Sequence, residues 1–113
     1  MTSVSEQTQE QQAIAFQIIA SVGTARSCYI EAIHEAGEGN FDAAADLIKQ
    51  GQDEFLKGHD AHLSLVQKAA SGESDPADIL LVHAEDQLMS AEGFGILAKK
   101  FVALYRKMAE RAA

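Results

Sequence analysis

A histidine and a carboxylate stand one helical turn apart in an apolar stretch of the chain, "ILLVHAEDQLMSAEGFGIL", residues 79–97. His83 precedes Asp86 by three residues and Gln87 by four, so in a helix both side chains can reach the imidazole ring. A neutral imidazole is available near pH 7 as a nucleophile or a proton-transfer group. The same spacing is also typical of a histidine that borders an apolar stripe and does no chemistry, so both interpretations stay open.

Asp86 stands where an apolar side chain is expected. It belongs to a set of residues separated by steps of three and four, which is typical of a coiled-coil seam. The members of this seam are Ile79, Val82, Asp86, Met89, Gly93 and Ile96. A lone carboxylate there is costly unless it is paired or bound to a metal. If copies of this helix meet around an axis, their Asp86 carboxylates converge and need shared protons or a hard cation such as Mg²⁺. The alternative is a solvent-exposed Asp86 at the edge of the stripe.

The other histidines suggest a second kind of metal site. Glu31-x-x-His34 matches half of a carboxylate-bridged di-iron motif, and His59 and His62 share one helical face. A di-iron site needs two Glu-x-x-His units and further carboxylates in a four-helix core, and this chain has one such unit. The sequence therefore favours His59 and His62 as polar-layer or interface residues.

The single cysteine, Cys28, lies among apolar residues. It cannot form an internal disulfide, which fits a reducing compartment such as the cytoplasm. No basic cluster flanks Cys28 to lower its pKa, so we predict a buried structural thiol.

Helices must position these residues, because apolar residues recur with a 3.6-residue period over three segments, at about residues 6–36, 41–70 and 76–111. The stripe of the first segment is formed by Ala15, Ile18, Val22, Ala25, Tyr29 and Ile33. That of the second is formed by Ala45, Ile48, Phe55, Val66 and Ala69, with interruptions at Gln52, His59 and His62. In the third segment, a second apolar flank is expected to pack inside the bundle, namely Leu80, Leu88, Phe94, Leu97 and Phe101.

Two short segments separate the predicted helices. "GEGN" supplies a flexible turn in which Asn40 is a good N-cap for the second helix. Before the third helix, Ser74 or Asp75 is predicted to cap and Pro76 to take the first helical position, while Asp78 favours the positive end of the helix dipole.

This pattern predicts an all-α fold, an antiparallel three-helix bundle that forms one domain over residues 1–113. About residues 1–6 are expected to be disordered. The third helix is apolar on more than one side, which is more than a three-helix protomer can bury. We therefore expect a further partner surface on this helix.

The formal net charge of −8 argues against a nucleic-acid partner and against docking on anionic lipid. The N-terminus has neither the basic nor the apolar region of a secretory signal. No uninterrupted apolar run approaches the roughly 20 residues that span a bilayer. A cytoplasmic protein without membrane insertion is expected.

The stretch "VHAEDQLM", residues 82–89, resembles the active-site motif of the IIA component of the lactose/cellobiose (N,N'-diacetylchitobiose) family in the phosphoenolpyruvate-dependent sugar phosphotransferase system. The likeness covers nearly the whole chain in the same order and spacing. "IIASVGTARSCYIEAIHEAGEGNFDAAADLIKQG" resembles the family's first helix, turn and second helix. "HDAHLSLVQKAASGE" resembles the end of the second helix and the loop that follows.

The resemblance implies a protomer of three helices that assembles into a nine-helix homotrimer. It implies that His83 accepts a phosphoryl group on Nε2 from HPr. The group then passes to a cysteine of the IIB component, for uptake of a β-disaccharide such as lactose or cellobiose through the membrane component IIC. It also implies that Asp86 of each protomer lies near the trimer axis, where the carboxylates bind a divalent cation such as Mg²⁺ or are otherwise buried together.

Two positions depart from the residues common in the family, where Gln and His are frequent. This chain has Glu85 and Gln87 there, and both are expected to support His83. The rival interpretation is a non-catalytic or metal-binding helical assembly, in which His83 takes no phosphoryl group and a metal depends on His34, His59 or His62.

Overall fold

The computed structural model describes residues 4–73 and 76–113 and forms three α-helices. They are α1 (Val4–Gly37), α2 (Phe41–Ala70) and α3 (Ile79–Ala112). Short connections make α2 antiparallel to both neighbours, and the described residues contain no strand. The molecule is a rod of 66 × 19 × 19 Å. The predicted all-α three-helix fold is confirmed.

The buried residues of α1 follow a heptad from end to end. They are Gln11, Ala15, Ile18, Val22, Ala25, Tyr29, Ala32 and Ala36. The predicted stripe is confirmed, with Ile33 only partly buried at its border. α1 packs against both other helices more extensively than these pack against each other. It is therefore the central structural element of the protomer.

The predicted stripe of α2 is wrong at three of its five positions. Ala45, Val66 and Ala69 are exposed, and the buried residues are instead Ala44, Gly51 and Gly58. Glycines carry no hydrophobic signal, so a search for apolar periodicity overlooks them. They are buried because large side chains of α1 occupy the space in front of them. A Cβ atom on Gly51 would lie 2.5 Å from Cε1 of Tyr29, and one on Gly58 would lie 2.6 Å from Cγ1 of Val22.

α3 starts three residues later than predicted. Asp78, not Ser74 or Asp75, is the N-cap: its Oδ1 accepts a hydrogen bond of 2.9 Å from the backbone N–H of Leu81. Pro76 consequently lies before the helix. Ser74 and Asp75 lie outside the described residues.

Other predicted ends are closer to the structure. Asn40 occupies the N-cap position of α2, but its side chain donates to Glu35 at 2.8 Å instead of capping the helix. α1 begins at Val4, and residues 1–3 lie outside the described part of the chain. The disorder expected for about residues 1–6 stays a prediction.

α3 presents small residues to the bundle and large ones to the outside. Its inner seam is the buried set Leu81, Ala84, Leu88, Ala91, Gly95, Ala98 and Val102. Its outward seam, the set that contains Asp86, lies roughly on the opposite side, because two residues along a helix turn the direction by about 200°. Phe94, Leu97 and Phe101 were expected inside the bundle, but their exposed fractions are 36%, 55% and 43%. Each stands one position before a residue of the inner seam and therefore points about 100° away from it.

One described helix, Glu6–Gly37 within α1, is long and apolar enough by length and composition to cross a membrane. The expectation from uninterrupted apolar runs overlooked this segment, because polar residues divide it. Core helices of soluble proteins pass the same test. The buried heptad of α1 uses this apolar surface within the bundle.

Candidate functional site

His83 lies in the second turn of α3 and its side chain is exposed. The N-cap at Asp78 fixes the start of the helix, and the buried neighbours Leu81 and Ala84 hold this turn against the bundle. Among the described residues, none makes a hydrogen bond to the imidazole. The ring is therefore open to a protein that approaches from outside.

Gln87, one turn further along α3, connects the His83 face to α1. Arg26 donates a hydrogen bond of 2.6 Å from Nη1 to Oε1 of Gln87. Both side chains are partly buried. Sequence reasoning placed Gln87 near His83 but did not include Arg26, because the two residues are 61 positions apart. The only sequence signal was that Arg26 is the single Lys or Arg residue in α1.

Glu85 faces a different neighbour. Its Oε1 lies 3.6 Å from Nε2 of His62 on α2. In a helix, residues 83 and 85 point about 200° apart. The structure thus turns Glu85 towards α2 and away from the direction of His83, whereas Gln87 lies on the His83 face of α3 and contacts α1.

Asp86 is exposed in the protomer and belongs to an outward seam that is strongly apolar. Within this seam, Ile79 is 84% exposed, Met89 is 70% exposed and Ile96 is 57% exposed. These are unusually large fractions for a row of apolar side chains. The carboxylate therefore interrupts a surface that is suited to contact another helix.

A single protomer does not supply a metal site in its described part, where no group of three or more His, Cys, Asp or Glu residues is arranged to hold an ion. A hard divalent cation needs several oxygen ligands, and Asp86 alone offers one carboxylate. The residue fits such an ion only if copies of it converge.

The remaining histidines do not come together. His59 is exposed, lies 3.6 Å from Asp60 and packs its ring 6.2 Å from that of Phe55. His62 faces Glu85 on α3 instead. Glu31 and His34 stay near the end of α1, and no second Glu-x-x-His unit exists to complete a di-metal site.

Cys28 is half-buried, less covered than predicted. Burial raises the pKa of its thiol, and the nearby carboxylate of Glu54 raises it further. A raised pKa keeps the thiol protonated at neutral pH, where it is a poor nucleophile. The structure thus supports an unreactive cysteine.

Comparisons with known proteins agree with this geometry. Residues 13–106 match the family model described as the PTS system, lactose/cellobiose-specific IIA subunit. The oligo-β-mannoside-specific EIIA component of Bacillus subtilis (strain 168) is 38% identical over 93 residues, which cover 82% of this chain and 84% of the relative. The lichenan-specific phosphotransferase enzyme IIA component of the same strain is 35% identical over 103 residues, which cover 91% and 94%.

A solved structure shares the whole architecture. The crystal structure of the PTS cellobiose-specific enzyme IIA from Bacillus anthracis matches with a TM-score of 0.85 and 32% sequence identity. The match covers 97% of this chain and 94% of that one. The long helices, their order and their connections are therefore shared along nearly the full length.

Proposed function

This chain belongs to the lactose/cellobiose-specific IIA family of the sugar phosphotransferase system, and we propose that it carries a phosphoryl group on His83. The donor is HPr and the acceptor is a cysteine of the IIB component. The main support is the position of His83, an exposed imidazole in the motif "VHAEDQLM" on the third helix of an IIA fold.

The transfer requires a neutral ring nitrogen and a straight line of approach. The lone pair on Nε2 of His83 forms a new N–P bond while the bond between phosphorus and the donor atom of HPr breaks. The electron pair of the broken bond goes to HPr. Nδ1 of His83 releases one proton as the ring gains its substituent, and the donor takes up one proton. In the next step, a cysteine sulfur of IIB forms the new S–P bond while the Nε2–P bond breaks. The electron pair of that bond stays on His83, which takes up one proton as the cysteine thiol releases one.

Phosphoryl transfer depends on positioning and on stabilisation of spread negative charge more than on covalent help. The exposed location of His83 suits an approach by two different partners in turn. Gln87 is proposed to support the site from the α1 side, whereas Glu85 faces His62 and is proposed to act on the phosphohistidine only through its negative charge. Contacts with both partners must be transient, since a carrier has to release each protein after transfer.

The proposed working assembly is a homotrimer of nine helices. The support is the exposed apolar surface of α3, which is more than a soluble protomer ordinarily leaves open. In this assembly the Asp86 carboxylates of three protomers meet at the axis. There they would bind one divalent cation such as Mg²⁺, whose charge offsets the repulsion between them.

We further propose that the protein is cytoplasmic, that it contacts IIC only indirectly through IIB, and that it does not bind nucleic acid. The sugar is proposed to be a β-disaccharide such as lactose or cellobiose. The named relatives are specific for oligo-β-mannosides and for lichenan. Membership of the family therefore supports the carrier function but does not single out one sugar.

The test is intact-mass spectrometry after incubation with phosphoenolpyruvate, enzyme I and HPr at neutral to alkaline pH, because phosphohistidine is acid-labile. One phosphoryl group per chain is expected in the wild type and in His59→Ala, a matched variant with an exposed histidine on α2. None is expected in His83→Ala. A folded wild type that gains no mass would contradict the proposal and favour the non-catalytic or metal-binding assembly.

A further inference from the structure

We propose that Arg26 binds the phosphoryl group carried by His83, and that Gln87 positions the Arg26 guanidinium for this purpose. The inference rests on the proposed carrier function. It adds a residue on a different helix to the site and gives it a defined role, contact with the phosphoryl oxygens.

The charges around His83 create a need for a cation. A protein-bound phosphoryl group carries roughly −1.5 to −2 charges at neutral pH. The part of α3 from Ile79 to Ala98 contains three acidic residues, Glu85, Asp86 and Glu92, and no Lys or Arg. The first cation of α3 is Lys99, about 24 Å from His83 along the helix axis at 1.5 Å per residue. A phosphoryl group on His83 would thus meet only like charges from its own helix.

Two of the three lysines of α2 already have carboxylate partners. Lys57 is 2.8 Å from Glu54, and Lys68 is 3.7 Å from Glu10. Arg26 differs, because no carboxylate of the described residues lies within ion-pair distance of it and its hydrogen bond goes to a neutral amide. In a chain with a net charge of −8, a half-buried guanidinium without an acidic partner is available to an anion.

The contact with Gln87 directs this cation towards His83. Helical side chains lean towards the N-terminus, over the preceding turn, and His83 occupies the turn before Gln87. Gln87 and His83 are four residues apart, so their Cβ atoms are about 6 Å apart. Arg26 meets the amide oxygen of Gln87 at 2.6 Å. Its guanidinium therefore lies within about one helical turn of the imidazole.

Arg26 can bind Gln87 and the phosphoryl group at the same time. The guanidinium has five N–H donors in a planar fork, and the contact with Gln87 accounts for one. The remaining donors can form charge-assisted hydrogen bonds with phosphoryl oxygens. Gln87, as a neutral acceptor, holds the group without neutralising its charge, which a carboxylate at position 87 would do.

The experiment compares wild type, Arg26→Gln, Arg26→Lys and the control Arg106→Gln, with His83→Ala as the blank. Arg106 is a suitable control because it too bridges two helices, lying 5.0 Å above the ring of Phe41, and its loss changes the charge equally. The readouts are the rate and equilibrium constant of phosphorylation by phospho-HPr and the ³¹P chemical shift of the phosphohistidine. Circular dichroism checks that each variant is folded.

Arg26→Gln should lower the equilibrium constant roughly 10- to 100-fold, the loss expected for hydrogen bonds to a charged group. It should also move the ³¹P resonance. Arg26→Lys should recover part of the loss, since it keeps the charge without the fork, and Arg106→Gln should behave as wild type.

Folded Arg26→Gln protein with wild-type kinetics and an unchanged ³¹P resonance would overturn the inference while leaving the carrier function intact. If Arg26→Gln does not fold, Arg26→Lys decides, because a wild-type equilibrium constant and resonance there would contradict a contact between the guanidinium group and the phosphoryl oxygens. Failure of the wild type itself to accept a phosphoryl group would overturn the carrier function and this inference together.

Discussion

The two opposite faces of α3 are both apolar, yet they are built from side chains of different size. The inner seam, which packs in the bundle, consists of four Ala or Gly residues and three larger ones. The outward seam carries Ile79, Val82, Met89 and Ile96, and all four are more than half exposed. The protomer thus buries its small residues and leaves many of its large ones in contact with solvent.

This difference separates two tasks. Small side chains let helix backbones approach closely, so the protomer is stabilised by tight packing around a few large residues of α1, such as Ile18 and Val22. Large exposed apolar side chains offer a large area to a second chain. The inner seam is expected to determine the stability of the protomer, and the outward seam its association.

The largest expected effect is on association. Met89→Glu places a charge in the middle of the outward seam, and an uncompensated buried charge costs about 3–5 kcal/mol. The proposed trimer should dissociate to folded monomers with unchanged helicity, as measured by sedimentation velocity and circular dichroism. Gln67→Glu, which adds the same charge on the exposed surface of α2, should leave the trimer intact. A trimer that survives Met89→Glu would exclude the outward seam as the interface.

Asp86→Leu is expected to have the opposite effect and to strengthen association through the outward seam. In the proposed trimer the Asp86 carboxylates converge, so an apolar side chain in their place should strengthen association by about 1–4 kcal/mol, as for other buried charges replaced by apolar groups. Wild-type association should weaken when a chelator removes divalent cations, and that of Asp86→Leu should not respond. Equal sensitivity to chelator in both proteins, in equilibrium sedimentation, would argue against an axial cation at Asp86.

The smallest effects come from a pair of glycines two residues apart. A methyl group on Gly95 would lie 2.9 Å from the Tyr29 ring, whereas one on Gly93 meets nothing within 4 Å in the protomer. Gly95→Ala should destabilise the protomer by about 1–3 kcal/mol through overpacking. Gly93→Ala should stabilise it by up to about 1 kcal/mol through helix propensity. Urea unfolding under monomeric conditions measures both, and equal changes would refute the distinction between the two seams.

Buried residues were predicted most reliably from the sequence where they are also hydrophobic. The α1 stripe was correct because its buried positions are mainly hydrophobic residues such as Ile18 and Val22. The stripe of α2 failed because Gly51 and Gly58 are buried for lack of a side chain, which no hydrophobicity pattern reports. Phe94 was expected inside because it is hydrophobic, but the buried position belongs to its small neighbour Gly95.

The candidate site shows a similar limit. His83 and its neighbours on α3 follow from helical spacing, which is local. The contact between Arg26 and Gln87 depends on how α1 and α3 align along their axes, and that alignment is set by packing over the whole length of both helices. The start of α3 was misplaced for a local reason, since several residues before it are suitable caps and only the folded chain selects Asp78.

The ring of Tyr29 fills the space that side chains at positions 51 and 95 would need, and both positions are glycine. These three positions lie on three different helices and therefore constrain one another in evolution. A larger residue at position 51 or 95 requires a smaller residue in place of Tyr29. Conversely, a smaller residue in place of Tyr29 leaves a cavity unless one of the glycines is also replaced by a larger residue. Because each single step is unfavourable, we expect homologous proteins to retain all three residues or to have exchanged them together.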